Sequence, residues 1–386
     1  MDAPNRTHPA PAAKEEKKVE YLELIYDLIF VYVIGRNNSL LHEISDGFVT
    51  SQTFIAYLLC SLAVIQIWNF STYYINMHGR NGLRDHICLF INMYLLYYIG
   101  EGTRVHWEDW QPAYHIAWAL ILINIGVQYL FTMRAHRSEP QVFAQTRRMA
   151  FVLFGEALIV LLAIPVYLTT GVILAPVAIL FGVFATMHHG KQTEVVLVDF
   201  PHLTERAMLY VVFTFGEMII ALASYFEGGV TASSLYFSGM SFLIVVGLFL
   251  SYGTLYDHLI DRERRDTGLG YMLLHIGIIF ALSLITTSLE FMHDETVRIG
   301  PKMWMLILAF LLYYVSLFLT MRWSKTRCRP TPQFLGKMGA VAVSFVLLMV
   351  VFRANMYINI ALTVVYVFGV YALLYRASRA VRDTEG

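Results

Sequence analysis

The sequence predicts an all-α fold, a polytopic transmembrane helix bundle of about twelve spans (ten to twelve, by where two boundaries are drawn) with both termini in the cytoplasm. Three observations carry this. The 386 residues are 57% hydrophobic and only 15% charged, where a soluble chain carries roughly a quarter charged residues. Apolar runs of about 20 residues, long enough to cross ~30 Å of hydrocarbon, recur from end to end. Lys and Arg gather in alternate loops, the asymmetry that marks the cytoplasmic side of a membrane protein.

Residues 1–20 are polar, rich in Pro and Ala and mixed in charge. They lack an apolar core and a cleavage site, so they read as a disordered tail and not as a signal peptide. Spanning helices are expected near 21–41, 52–76, 85–101, 113–133, 148–167 and 171–188, then 206–226, 233–256, 269–289, 302–322, 337–353 and 355–375. A second tail covers 377–386. The short turn at Leu168-Thr169-Thr170 and the region Arg353-Ala354-Asn355 are the two boundaries that set the range of spans. One side of the membrane collects the basic residues of both tails and of the loops after even-numbered helices, among them Arg80, Arg84, Arg147, Arg148, Lys191, Arg262, Arg264, Arg265 and Lys325. The other keeps only Arg36, Arg104, Arg298, Lys302 and Arg353. The end of helix two and its basic loop have a counterpart six helices on, from Ser251 to Asp257 and then Arg262 to Arg265. The segments 21–188 and 206–375 therefore read either as parallel repeats or as two cytoplasmic boundaries of like composition.

Composition and motifs also exclude. With 28 basic and 28 acidic residues, nothing favours nucleic acid or another polyanion as partner. No nucleotide-binding loop, hydrolase elbow or paired metal-binding motif is present. Cys60, Cys88 and Cys328 share no ligand spacing, and His188-His189 has no partner at a zinc-like distance. No cofactor and no metal is expected. Lone His115 and His275 read as hydrogen-bonded core residues. The expected partners are membrane lipids and a small solute or ion.

Charges inside spans carry the most information, because each is costly at membrane depth and faces a cavity or a partner. Glu23 and Asp27 stand four apart on helix one and share a face; Glu23 alone could also lie at headgroup level beside Lys17 or Lys18. Helices five and seven carry Phe154-Gly155-Glu156 and Phe215-Gly216-Glu217. Each glycine would let a neighbouring helix approach the carboxylate. Glu217 lies eleven residues past Arg206, about 16 Å along the axis. The stretch His202-Leu203-Thr204-Glu205-Arg206 mixes both charges at a helix entry, with Thr204 placed to cap. Asp257, after Tyr252 and Tyr256, is expected at the interface.

Three stretches resemble one family. Leu22-Glu23-Leu24-Ile25-Tyr26-Asp27-Leu28-Ile29-Phe30-Val31 is similar to the opening block of the bacterial low-temperature-requirement A proteins. His202-Leu203-Thr204-Glu205-Arg206, continuing to Gly216-Glu217, resembles their His-Leu-x-Glu-Arg block, and Tyr252-Gly253-Thr254-Leu255-Tyr256-Asp257 resembles their aromatic helix end without its tryptophans. The order of the blocks agrees over most of the chain. The resemblance implies a multi-pass protein of the bacterial cytoplasmic membrane, in a family named for growth in the cold, and hands over no settled activity.

The leading expectation is a transporter or permease in which Asp27 and Glu217 face a central cavity and a carboxylate takes up and releases a proton. The candidate residues are Glu23, Asp27, Glu156, Glu205, Arg206, Glu217 and Asp257. Two alternatives stand beside it. One is a membrane-embedded enzyme acting on a lipid or isoprenoid through Glu205, Arg206 and Glu217; the other is a non-catalytic sensor or scaffold.

Overall fold

The computed structural model describes residues 17–103, 107–190 and 198–382. The expected tail through residue 16, Arg104 and Lys191 lie outside them. Twelve α-helices follow in order: α1 Tyr21–Asn38, α2 Ser51–His78, α3 Leu83–Gly102, α4 Trp107–Ala135, α5 Pro140–Thr170, α6 Ala175–Gly190, α7 Phe200–Ala221, α8 Ala232–Thr254, α9 Leu269–His293, α10 Ile299–Thr320, α11 Pro332–Val351 and α12 Met356–Arg382. A two-residue hairpin, β1 Ile44–Ser45 and β2 Phe48–Val49, closes the turn between α1 and α2.

Local chemistry fixes the ends. Thr50 caps α2 by accepting from the Thr53 amide, and Thr231 with Ser234 makes a reciprocal capping box at α8. Thr331 caps α11, with Pro332 in its first turn. Gly171 takes φ 70° after α5, a left-handed turn open to glycine, and so the chain reverses into α6 within a few residues.

Nine helices among the described residues are long and apolar enough to cross a membrane. Of the other three, α1 carries Glu23, Asp27 and Arg36 in its 18 residues, α3 bears charges at both ends, and α6 is apolar but short. The outer surface is greasy. On α5, Phe151, Leu158 and Leu162 are exposed along one stripe, and α11 shows Val343, Leu347 and Val351; water tolerates no such belt, whereas lipid requires it.

Contacts define two faces. The start of α1 meets the end of α2 through Lys17, whose ammonium donates to the carbonyls of Ile75 and Gly79. There, too, Asn76 meets Asp199 before α7, Tyr73 reaches Thr267 before α9, and Asp261 pairs with Trp323 after α10. Burial lowers the Lys17 pKa, with the nearby Glu23 opposing the shift. This is the tail face. On the opposite face Arg298 bonds Gly47, and Tyr236 bonds Tyr357. The core is set by α9, nearly three-quarters buried, while α11 stands at the edge. α1, with its three charged side chains, packs against α2, α3, α7 and α9.

Candidate functional site: a buried ion network between α1 and α7

Helix α7 begins six residues earlier than expected. Asp199 is its N-cap, accepting from the His202 amide, and Pro201 sits in the first turn. Thr204 is therefore not the cap; it lies inside the helix, its hydroxyl donating to the Pro201 carbonyl. The shift moves Arg206 about 9 Å along the axis from the helix start, where it is fully buried.

There it meets α1. The Arg206 Nε donates to Asp27 Oδ2 at 2.9 Å, and one terminal nitrogen donates to Asp27 Oδ1 at 2.5 Å. The other terminal nitrogen donates to Glu23 Oε2 at 2.7 Å. All three guanidinium nitrogens are engaged, in the forked geometry that arginine offers a carboxylate. Trp68 of α2 donates its indole N–H to Asp27 Oδ1 at 2.8 Å. The i,i+4 acids thus share a face, as expected, and the face turns toward α7.

His202 completes the network, and its tautomer follows from its neighbours. Asn76 Oδ1 accepts from the Asp199 amide, which fixes the orientation of the Asn76 side chain. Its amide nitrogen then donates both to the Asp199 carbonyl and to His202 Nδ1, at 3.0 Å. His202 accepts at Nδ1, so its proton is on Nε2, which faces Glu23 Oε2 at 3.2 Å. Two carboxylates and one arginine are joined directly, the His202 ring stands beside Glu23, and Lys17 supplies a second cation near it. The neutralising partner of Glu23 is first of all Arg206, 183 residues away on α7.

Glu23 is where this network meets the tail face. It lines a cleft of about 880 Å³ with Lys17, Arg80, Asp85 and His86, while Asp27 is sealed behind it. Beyond Asp27 the interface turns aromatic: Phe30 and Trp68 both pack on Tyr210, Trp68 with ring centroids 4.5 Å apart. Farther along, Glu217 of α7 lies against Gly35 of α1, eight residues or about 12 Å past Asp27; a Cβ on Gly35 would stand 2.9 Å from Glu217 Oε1. The same end of α1 holds Asn38, which accepts from Ser283 of α9.

The other acids lie apart. Glu156 of α5 is fully buried and accepts from Gln66 of α2 at 3.3 Å. Its notch is Gly182 of α6, where a Cβ would fall 2.0 Å from Glu156 Oε2. The glycines preceding the two glutamates do less than expected: Gly155 receives the Phe181 ring, and Gly216 faces open space. Room for each carboxyl is made instead by a glycine on the neighbouring helix. Glu205 is half-buried on α7 within electrostatic reach of Tyr256, and Asp257 is exposed in the π-helical turn Leu255–Leu259. Arg262 there stacks on Tyr256, whose hydroxyl and ring hold the guanidinium pKa up. Glu217 stands about 12 Å beyond Asp27 along the α1–α7 seam, and Glu156 lies against α2 and α6.

His275 donates from Nδ1 to the Tyr271 carbonyl and accepts from Tyr252 at Nε2, and His115 donates to the Gln111 carbonyl; both are built into the core. Among the described residues no group of three His, Cys, Asp or Glu side chains could hold a metal. The residues that sequence inspection missed are Trp68, Asn76, Gln66 and His202. A signal for two of them exists: Gln66, Asn69, Tyr73 and Asn76 recur at helical spacing along α2 and mark a polar stripe in an apolar span.

At the opposite face His42, in the turn after α1, pairs with Glu290 of α9 at 3.0 Å. The hydrogen bond that His42 donates to Glu290 raises the His42 pKa, more than burial lowers it. A raised folded value means that the pair's stabilisation is complete below the ordinary histidine value of 6.5 and is lost as pH rises through the raised one. The pair is partly exposed, so the effect is about 1 kcal/mol or less. The melting temperature of the wild type should fall across that range while that of His42→Gln stays level; parallel curves would contradict the assignment.

The model of the family described as bacterial low temperature requirement A protein matches residues 18–371, nearly the whole chain. No curated protein matches it.

Proposed function

We propose that this chain, which belongs to the bacterial low temperature requirement A family of multi-span membrane proteins, is a transporter or permease for a small solute or ion that works through its intramembrane carboxylates. The observation that carries the proposal is the Arg206 network. A buried ion pair adds little stability over apolar packing of the same shape, and within a bilayer such groups are kept along substrate and proton routes. Glu23 stands at a cleft open to one face, Asp27 behind it, and Glu217 beyond an aromatic layer on the same two helices. A carboxylate ladder of this kind lets α1 and α7 exchange partners as a charge passes.

The proposal includes twelve spans with both termini cytoplasmic, in two six-helix repeats. Helix neighbours support the repeat: α1 packs on α3 as α7 does on α9, α3 on α4 as α9 on α10, and α2 on α6 as α8 on α12. An enzyme using Arg206 to hold a phosphate is disfavoured, since that side chain is sealed and fully bonded.

The test is flux. Protein reconstituted in liposomes should produce a solute-driven current on solid-supported membranes with at least one member of a panel of small cations, amines and neutral solutes. Glu217→Gln should insert normally and lose most of that current, and Asp27→Asn, which leaves Arg206 only the Glu23 carboxylate, should lose it at matched protein density. If both variants move every tested solute at the wild-type rate, the proposal fails.

A further inference from the structure

Two clefts enter the first half of the bundle from opposite faces along the same helices. One, of about 1380 Å³, opens beside the turn between α5 and α6. Tyr114, Trp118 and Tyr167 wall it, Glu43 is in its lining, and it reaches Cys60 on α2 and Ala175 on α6. The other, of about 1000 Å³, rises from the tail face between four methionines, Met77, Met149, Met187 and Met272, and ends at Leu62 and Gln66 on α2 and Ile179 and Gly182 on α6. Along α2 the two linings stop two residues apart, about 3 Å of helix axis; along α6 the gap is four residues, about 6 Å. Between the two linings on α6 stands Ala178, small and buried.

Gln66 lines the methionine cleft about one helical turn from this septum, and Glu156 meets it from α5. Gln66 Nε2 donates to Glu156 Oε2 and to the Ile179 carbonyl, at 3.3 and 3.2 Å. That leaves Gln66 Oε1 and Glu156 Oε1 as buried acceptors with no donor among the described residues, and Gln66 lines the cleft while more than nine-tenths buried. No described Lys or Arg pairs with Glu156. A carboxyl buried here can stay ionised only if a cation joins it, and the two free oxygens are acceptors that a cationic donor could use.

We propose that Glu156 and Gln66 bind the ammonium group of an apolar amine, whose hydrocarbon body lies in the clefts and which crosses the bundle along α2, α5 and α6. The inference deepens the transporter reading and rests on it for the crossing step; the binding site has its own test. The ligand class follows from the walls. Phe70 and Tyr73 share the cleft with Gln66; aromatic rings attract an organic cation, and methionines adapt to an irregular apolar body. A bare metal cation is excluded by chemistry, because these walls offer no set of oxygens to replace its water. A phospholipid does not fit either, because its head stays at the membrane surface while the free acceptors lie about one helical turn from the septum between the two clefts.

The experiment uses the full chain in nanodiscs and equilibrium binding of radiolabelled 2-phenylethylamine, with 2-phenylethanol as its neutral counterpart. The amine should bind saturably and at least about tenfold more tightly than the alcohol, and Glu156→Gln should erase that preference. Equal affinities in the wild type, a preference that survives in Glu156→Gln, or no saturable binding of the amine would each overturn the site. Should Glu156→Gln fail to accumulate, Leu62→Trp replaces it by filling the end of the inner cleft; amine binding must fall by a similar factor, and undiminished binding overturns the site. Amine binding without flux of any solute would sink the transporter reading and leave the site standing, and flux of other solutes without amine binding would do the reverse.

Discussion

Arg206→Met is expected to cut the yield of folded protein severely, and adding Glu23→Gln and Asp27→Asn is expected to bring it back. The single change removes the guanidinium that engages Asp27 with two nitrogens and Glu23 with one. Asp27 would then remain fully buried with only the Trp68 indole as donor. Breaking a buried pair from one side costs about 3–5 kcal/mol, a large part of the ~5–15 kcal/mol that holds a domain folded. Neutralising both acids together with the arginine removes the unpaired charges, and the interface becomes amide and apolar in nearly the same volume. Arg206→Lys should fall between the two, because an ammonium cannot fork across both carboxylates. Fluorescence-detected size exclusion and melting temperature in detergent read all three. A triple variant no more stable than Arg206→Met would show that the charges are not what the single variant disturbs.

Gly182→Ala is expected to destabilise the first half of the bundle, while Gly216→Ala leaves stability unchanged. The two glycines look alike in sequence, each one inside an apolar helix. In the structure a Cβ on Gly182 would stand 2.0 Å from Glu156 Oε2 and 2.1 Å from Gln66 Nε2, whereas one on Gly216 meets nothing within 4 Å. Neither neighbour of Gly182 can swing away freely, since Gln66 is held by the Ile179 carbonyl and Glu156 is buried on every side. Overpacking of this kind costs about 1–3 kcal/mol, and a lost hydrogen bond to a buried carboxyl adds about 1–3 kcal/mol more. Equal melting temperatures for the two variants would contradict the packing described for α5 and α6.

Much of this architecture was legible in the amino-acid order, because lipid imposes a local rule: a span must be long, apolar and helical, and each of those properties can be read within one window. The same rule made Glu23, Asp27, Glu156 and Glu217 conspicuous. Their partners were not legible. Arg206 lies 179 residues from Asp27, and no spacing rule links two helices that meet only after the bundle closes. It looked like a boundary residue because the start of α7 was placed at residue 206; Asp199 and Pro201 hold the cap and first-turn proline signals that set the true start. The notches at Gly35 and Gly182 were hidden for the same reason, since the glycine that makes room stands across an interface from the glutamate it serves. The polar stripe on α2 was visible as a period but had no charge to draw attention to it.

The most direct measurement is the current carried by the triple variant Glu23→Gln, Asp27→Asn, Arg206→Met, compared with the wild type at matched protein density in the same liposomes. It separates a network kept for turnover from one that only joins two helices. The expected result is a protein that melts near the wild-type temperature and passes no solute-driven current. A triple variant that conducts like the wild type would contradict the account, because α1 and α7 would then need nothing more from these charges than a shape to pack against.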